Sequence, residues 1–201
     1  GFFRISPGEA GVMDFQQRLL LEHGYAALHG AKHTKNTLLG SVTGVYVGVW
    51  ASEYDGEILR STPAGKSVFA ATAAQCAVFS GRISFTLGLQ GACQSSDTAC
   101  SSSLIALHSA TRALQRGENS TSLVCGVNAM YSVMANMGSA VAGMTSAKGH
   151  SHTFDNRADG YARGEACGAT SLQVADATDD ASSTVAVHGV AVRQDGRSAS
   201  L

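Results

Sequence analysis

The chain is predicted to be an α/β protein with helices covering a mixed sheet. Three stretches predict it. Residues 43–50 are β-branched and apolar almost throughout, the pattern of a strand covered on both faces. Residues 122–127 repeat that pattern. Between them, residues 96–103 run through Cys100 into a helix-forming segment, residues 104–114. Strand, cysteine, helix and strand make a βαβ unit around Cys100.

The other elements follow in order. Residues 1–15 read as an irregular lead-in, with Pro7 and Gly8 marking a turn. Asp14 can cap a helix over residues 16–28, with Leu20, Gly24 and Leu28 on one face. Residues 29–36 are polar and read as loop, and residues 51–65 as an exposed charged loop. Residues 67–76, rich in alanine, read as a helix. Gly117 stands where a C′ glycine would end the Cys100 helix. Residues 168–174 and 184–192 are two further strand candidates, separated by an acidic turn.

Bulk composition narrows the functions. Net charge is −1, and no basic run is interleaved with aromatics, so nothing favours nucleic acid or an anionic membrane. Residues 119–147 carry no charge, but Asn128, Asn136 and many Ser and Gly interrupt them. That reads as a buried strand followed by loop and helix, not as a membrane span. Charged residues are only 14%, which predicts faces buried against something else. Five cysteines without a CxxC pair argue against a disulfide framework or a zinc site and fit a reducing, intracellular compartment. The Asn119-Ser120-Thr121 sequon is read as chance in such a chain. The chain opens at Gly1 without Met and stops at Leu201 without a closing element, so residues 1–201 are read as part of one domain, truncated at both ends.

Cys100 is the candidate nucleophile. Serines at 101, 102 and 103 are good helix-start residues, which places the sulfur at or just before a helix N-terminus. Free N–H groups and the dipole there favour a thiolate. Cys76 and Cys125 read as packing residues in apolar contexts, and Cys93 as packing or a second thiol near the site.

At this point the chain resembles the β-ketoacyl synthase (ketosynthase) domain of modular type I polyketide synthases. Five blocks carry the resemblance in order. They are Phe2-Phe3-Arg4-Ile5-Ser6-Pro7 with Met13-Asp14-Phe15-Gln16-Gln17-Arg18, then Gly81-Arg82-Ile83-Ser84-Phe85, then Asp97-Thr98-Ala99-Cys100-Ser101-Ser102-Ser103. Ala158-Asp159-Gly160-Tyr161-Ala162-Arg163-Gly164-Glu165 and Gln194-Asp195-Gly196-Arg197-Ser198 complete them. Phe15, Ala92 and Arg193 depart from the family's usual residues, and so does the turn at Lys148-Gly149-His150; none touches the nucleophile.

The resemblance implies a thiolase-like fold: two similar βαβαβαββ halves in a homodimer. This chain would supply the first half, an incomplete mixed five-stranded sheet with covering helices. It implies a decarboxylative Claisen condensation of an acyl-cysteine with a malonyl-type extender on acyl carrier protein, in polyketide or fatty acid elongation. Cys100 would be the nucleophile, its backbone N–H one oxyanion donor. Asp97, Thr98, Ala99, Ser101 and Ser102 would shape the nucleophile turn. Asp159, Arg163 and Glu165 would buttress the active-site floor. No cofactor or metal is bound; phosphopantetheine arrives on the carrier protein. The family's two catalytic histidines belong to its other half. His108 lies two turns along the helix, about 12 Å from Cys100, and reads as a packed residue. The alternative is a non-elongating ketosynthase-like domain that binds acyl carriers and dimerises without condensing. A cytoplasmic setting is expected, with a plastid as the variant.

Overall fold

The computed structural model describes residues 1–50, 53–175 and 185–197. Four strands form one sheet in the order β2-β1-β3-β4. They are β1 (Thr43–Val49), β2 (Cys93–Ser96), β3 (Thr121–Asn128) and β4 (Ala166–Leu172). β1 pairs in parallel with β2 and with β3, and β3 pairs with β4 antiparallel. The helices are α1 (Pro7–Val12), α2 (Phe15–Gly30), α3 (Lys35–Leu38), α4 (Ala70–Ala73), α5 (Cys76–Leu87), α6 (Ser102–Gln115) and α7 (Val133–Val141).

Handedness decides which helix lies on which face. The chain steps from β1 to β2 through α5, then back past β1 to β3 through α6. Two right-handed crossovers in opposite directions must use opposite faces. Accordingly α5 and α2 pack on one side, over Val45, Val47, Leu123, Cys125 and Val127. Helix α6 packs on the other, with Ala106, Ala110 and Ala113 against Tyr46 and Val124. All seven β1 residues are buried, as the continuous apolar run predicts.

Local sequence sets the ends. Asp14 accepts the Gln16 N–H at 2.8 Å and caps α2, whose Leu20, Gly24 and Leu28 are buried as expected. Gly117, at φ 68°, follows the α6 C-cap, so its left-handed backbone ends the helix where the sequence placed the stop.

Several expectations are corrected. Pro7 does not mark a turn but occupies the first turn of α1, capped by Ser6, where its fixed φ is favourable. Residues 29–36 run into the capping-box helix α3. The helix expected over residues 67–76 shrinks to α4, and Cys76 begins α5, exposed rather than packed. The loop at 51–65 is not wholly exposed: Tyr54 and Leu59 bury against Ala73 in a satellite core, with Tyr131 at its edge. The five-stranded sheet is four-stranded among the described residues. Residues 185–192 of the expected last strand are mostly exposed and pair with no strand, and Thr184 lies outside the described residues.

Candidate functional site

Cys100 sits beyond the carboxyl end of β2, two residues before α6. Ala99 before it has φ 54°, a left-handed conformation that costs a non-glycine residue free energy and persists only when its surroundings enforce it. The enforcing contacts are local. Asp97 Oδ1 accepts the Ala99 N–H at 2.9 Å. Ser102 Oγ accepts the Thr98 N–H at 2.8 Å and donates to the Ala99 carbonyl at 2.6 Å. Ser101 Oγ lies 2.9 Å from both the Thr98 carbonyl and its hydroxyl. Ser101 and Ser102 therefore clasp the elbow rather than cap the free helical N–H groups, and the elbow lifts an exposed thiol out of the chain.

Two glycines seat the helix behind that thiol. A Cβ on Gly48 would lie 2.4 Å from the backbone at Ser102 and Ser103, and one on Gly126 would lie 2.9 Å from Ser103 Cβ. Side chains there would push α6 off the sheet. Its first turn rests directly on β1 and β3 because those two positions have none.

The thiol opens into a cavity of about 1090 Å³. Trp50, Cys100 and Asn128 line it from just past or at the carboxyl ends of the three parallel strands, the usual place for a ligand in an open α/β sheet. Leu104, Leu107, Val124, Ala166 and Thr170 make its walls mostly apolar. Arg163 and Gly164 close one side.

The three charges expected to form one floor do not meet. Asp159 stays at an exposed turn, where a hydrogen bond from Ser146 holds its carboxyl below the usual range. Glu165 accepts the Met130 N–H at 2.8 Å. Arg163 instead pairs with Glu53, 3.1 Å away, and lies over the Trp50 ring. Sequence reading missed Glu53; it falls in a stretch whose only signal was charge. Cys93 Sγ donates to Ser80 Oγ at 3.3 Å, on β2's far side from α6. Burial pushes the Cys125 thiol up to about 12 and the Cys167 thiol up to about 11, which disfavours the reactive thiolate at both. His108 is half-buried with an unpartnered Nδ1, consistent with packing. Among the described residues no group of side chains could hold a metal ion, and no helix is long and apolar enough to cross a membrane.

Known proteins resemble this chain along nearly its whole length. The family model for the β-ketoacyl synthase N-terminal domain matches residues 1–178. Highly reducing polyketide synthase 40 of Fusarium pseudograminearum is 43% identical over 198 residues, covering 98% of this chain and 8% of its own length. The mycocerosic acid synthase-like polyketide synthase of Mycolicibacterium smegmatis is 37% identical over 202 residues, 100% of this chain and 10% of that protein. The ketosynthase from module 6 of the Bacillus subtilis bacillaene synthase superposes with a TM-score of 0.76 at 36% identity, over 86% of this chain and 29% of that one. The chain thus spans a small part of these relatives and under a third of that ketosynthase. With its thiolase-like mixed sheet and its cysteine elbow, the chain belongs to the β-ketoacyl synthase family, as the N-terminal domain of a polyketide-synthase ketosynthase.

Proposed function

We propose that Cys100 is the acyl-accepting nucleophile of a condensing acyltransferase that elongates a polyketide or fatty acyl chain. The observation that carries this is the exposed thiol on a strained elbow at the mouth of a mostly apolar cavity. The thiolate attacks the carbonyl of an acyl thioester; the new C–S bond forms and the carrier's phosphopantetheine thiolate leaves. A malonyl-type extender then loses CO₂, and its enolate carbon attacks the acyl-cysteine carbonyl, releasing Cys100 as thiolate. The Cys100 N–H is suited to the oxyanion as the carbonyl becomes tetrahedral, a donor worth roughly 10²–10³ in rate.

The cavity accommodates an aliphatic chain and a slender arm, which supports acyl carrier protein as the partner, with phosphopantetheine arriving covalently attached to it. Five free thiols support a reducing, cytoplasmic setting. The exposed apolar residues Val133, Met137 and Val141 on α7 support a homodimer or another packed half over that side. No histidine lines the cavity among the described residues, so these residues by themselves suit acyl transfer and not decarboxylation. The exposed stripe on α7 is equally served by a second reading, a non-elongating ketosynthase-like domain that binds acyl carriers and dimerises without condensing.

Intact-mass analysis after incubation with an acyl thioester tests the assignment. The full-length protein should gain one acyl group, mapped to Cys100, and lose it in Cys100→Ala. Acylation elsewhere, or none, overturns it. β-Ketoacyl product from malonyl carrier separates elongation from the second reading.

A further inference from the structure

Glu53 ties together segments of chain that are far apart in sequence. Its Oε1 accepts from Arg163 Nη2 at 3.1 Å. Its Oε2 accepts the Tyr131 N–H at 2.8 Å and the Ser132 N–H at 2.6 Å. The pair is buried, with side chains 10% and 8% exposed for Arg163 and Glu53. Arg163 continues outward: Nη1 donates to Asn136 Oδ1 at 2.9 Å, and the guanidinium stands 5.2 Å from the Trp50 ring centroid. Ser132 Oγ donates to Glu57 at 2.6 Å. One carboxylate thus joins the segment after β1, the segment between β3 and α7, and the segment before β4. Two members of the set, Trp50 and Arg163, line the cavity that holds Cys100.

We infer that Glu53 is a positioning residue that fixes the Trp50–Arg163 wall of the Cys100 cavity, and so sets which acyl chains reach the thiol. The inference rests on the acyl-accepting role of Cys100. Glu53 touches neither the sulfur's elbow nor the cavity itself; it acts through Arg163. All three donors point at its carboxylate, so a neutral amide in its place turns a donor toward another donor and leaves the guanidinium buried without a counter-charge. Released, Arg163 gives up its station over Trp50, and the wall shifts. The elbow keeps its own clasp from Asp97 and Ser102, so thiol reactivity toward a small reagent is untouched. Arginine reaches Asn136 with one nitrogen of its planar fork and Glu53 with the other, a geometry that the single ammonium nitrogen of lysine does not reproduce.

The test uses the full-length protein and two reagents. Iodoacetamide probes the thiol's own reactivity; acetyl and decanoyl N-acetylcysteamine thioesters probe the cavity, each followed by mass spectrometry of the Cys100 peptide. Glu53→Gln should change the decanoyl-to-acetyl rate ratio by about ten-fold, because a wall displaced by an ångström costs orders of magnitude in rate. Iodoacetamide labelling of Cys100 should move by less than about two-fold, the signature of intact local geometry. Arg163→Lys should shift the ratio in the same direction. Glu53→Asp keeps the charge but is one methylene short, and should shift it less. This variant serves if Glu53→Gln does not fold. An unchanged ratio in Glu53→Asp and Arg163→Lys overturns the inference, as does an equal fall for all three reagents, which would mark a merely structural pair. A wild-type protein that labels with iodoacetamide but accepts neither thioester overturns the acyl-accepting role instead, and this inference with it.

Discussion

The two faces of the sheet are built differently. On one, α2 and α5 cover the strands, and Leu20, Leu28, Phe79, Ile83 and Leu123 are sealed from solvent in one cluster. On the other a single helix, α6, rests on β1 and β3, with small alanines at its contact and open space beyond it toward β4. The difference separates two tasks. The covered face supplies the burial that holds the strands in register. The open face holds the cysteine elbow, both seating glycines and the cavity. Stability and chemistry share one sheet but use opposite sides.

The largest expected effect breaks the covered face. Phe79→Ala removes a fully buried ring between α5 and the sheet and should cost about 3–5 kcal/mol of unfolding free energy. Denaturant melts followed by far-UV circular dichroism measure it. A loss near zero would mean the cluster on that face is not the structural core.

The thiols read the same contrast through pH. Cys125 faces the covered side and its thiol is pushed up to about 12 by burial, from an ordinary value of 9.0. A raised thiol means the folded state keeps a proton that the unfolded chain gives up. Stability from this group is thus intact below pH 9 and falls between pH 9 and about 12, by about 1.4 kcal/mol per unit. Cys125→Ala should flatten that part of the stability–pH curve. In native alkylation at neutral pH, Cys100, Cys76 and Cys93 should label and Cys125 should not. Labelling of Cys125 as fast as Cys100 would refute the contrast.

A smaller effect, more local in kind, sharpens the open face. Gly48→Ala places a Cβ 2.4 Å from the backbone at Ser102 and Ser103, which cannot rotate away as a flexible side chain would. Overpacking of this kind costs about 1–3 kcal/mol. Its signature is a displaced elbow: the Cys100 acylation rate should fall in protein that remains folded at assay temperature. Unchanged acylation would show that α6 does not depend on this contact.

How far these features were legible follows from the range of the signals. β1 and α6 were readable because their patterns are local: a continuous apolar run, a serine cluster after a cysteine, and Gly117 at the end. Asp14 as a cap was readable for the same reason. The elbow's clasp was half-visible. Its serines stood out, but they bond back to Thr98 and Ala99 instead of forward to the helix, a choice set by the left-handed turn at Ala99. Glu53 was not readable, because its partners lie 78, 79 and 110 residues away and sequence spacing says nothing about them. β2 was missed as a regular strand because Cys93-Gln94-Ser95-Ser96 has no apolar alternation; pairing with buried β1 makes it one. The expected fifth strand failed for the converse reason. Its alternation of valines is real, but residues 185–192 pair with no strand, and pattern without a partner does not make a strand.

The smallest effect lies on α7. Val133, Met137 and Val141 recur every four residues along one exposed stripe, at 69%, 53% and 88% of full exposure. Residues already in water lose no burial on substitution, so changing all three to Ser should alter the unfolding free energy of the 201-residue chain by less than about 0.5 kcal/mol per site. Solubility should rise instead, since the stripe is the kind of apolar patch that drives association. Sedimentation of wild-type and triple-variant chains at matched concentration checks this. A loss of stability like that of Phe79→Ala would mean the stripe is already covered, and that the open face is less open than its geometry shows.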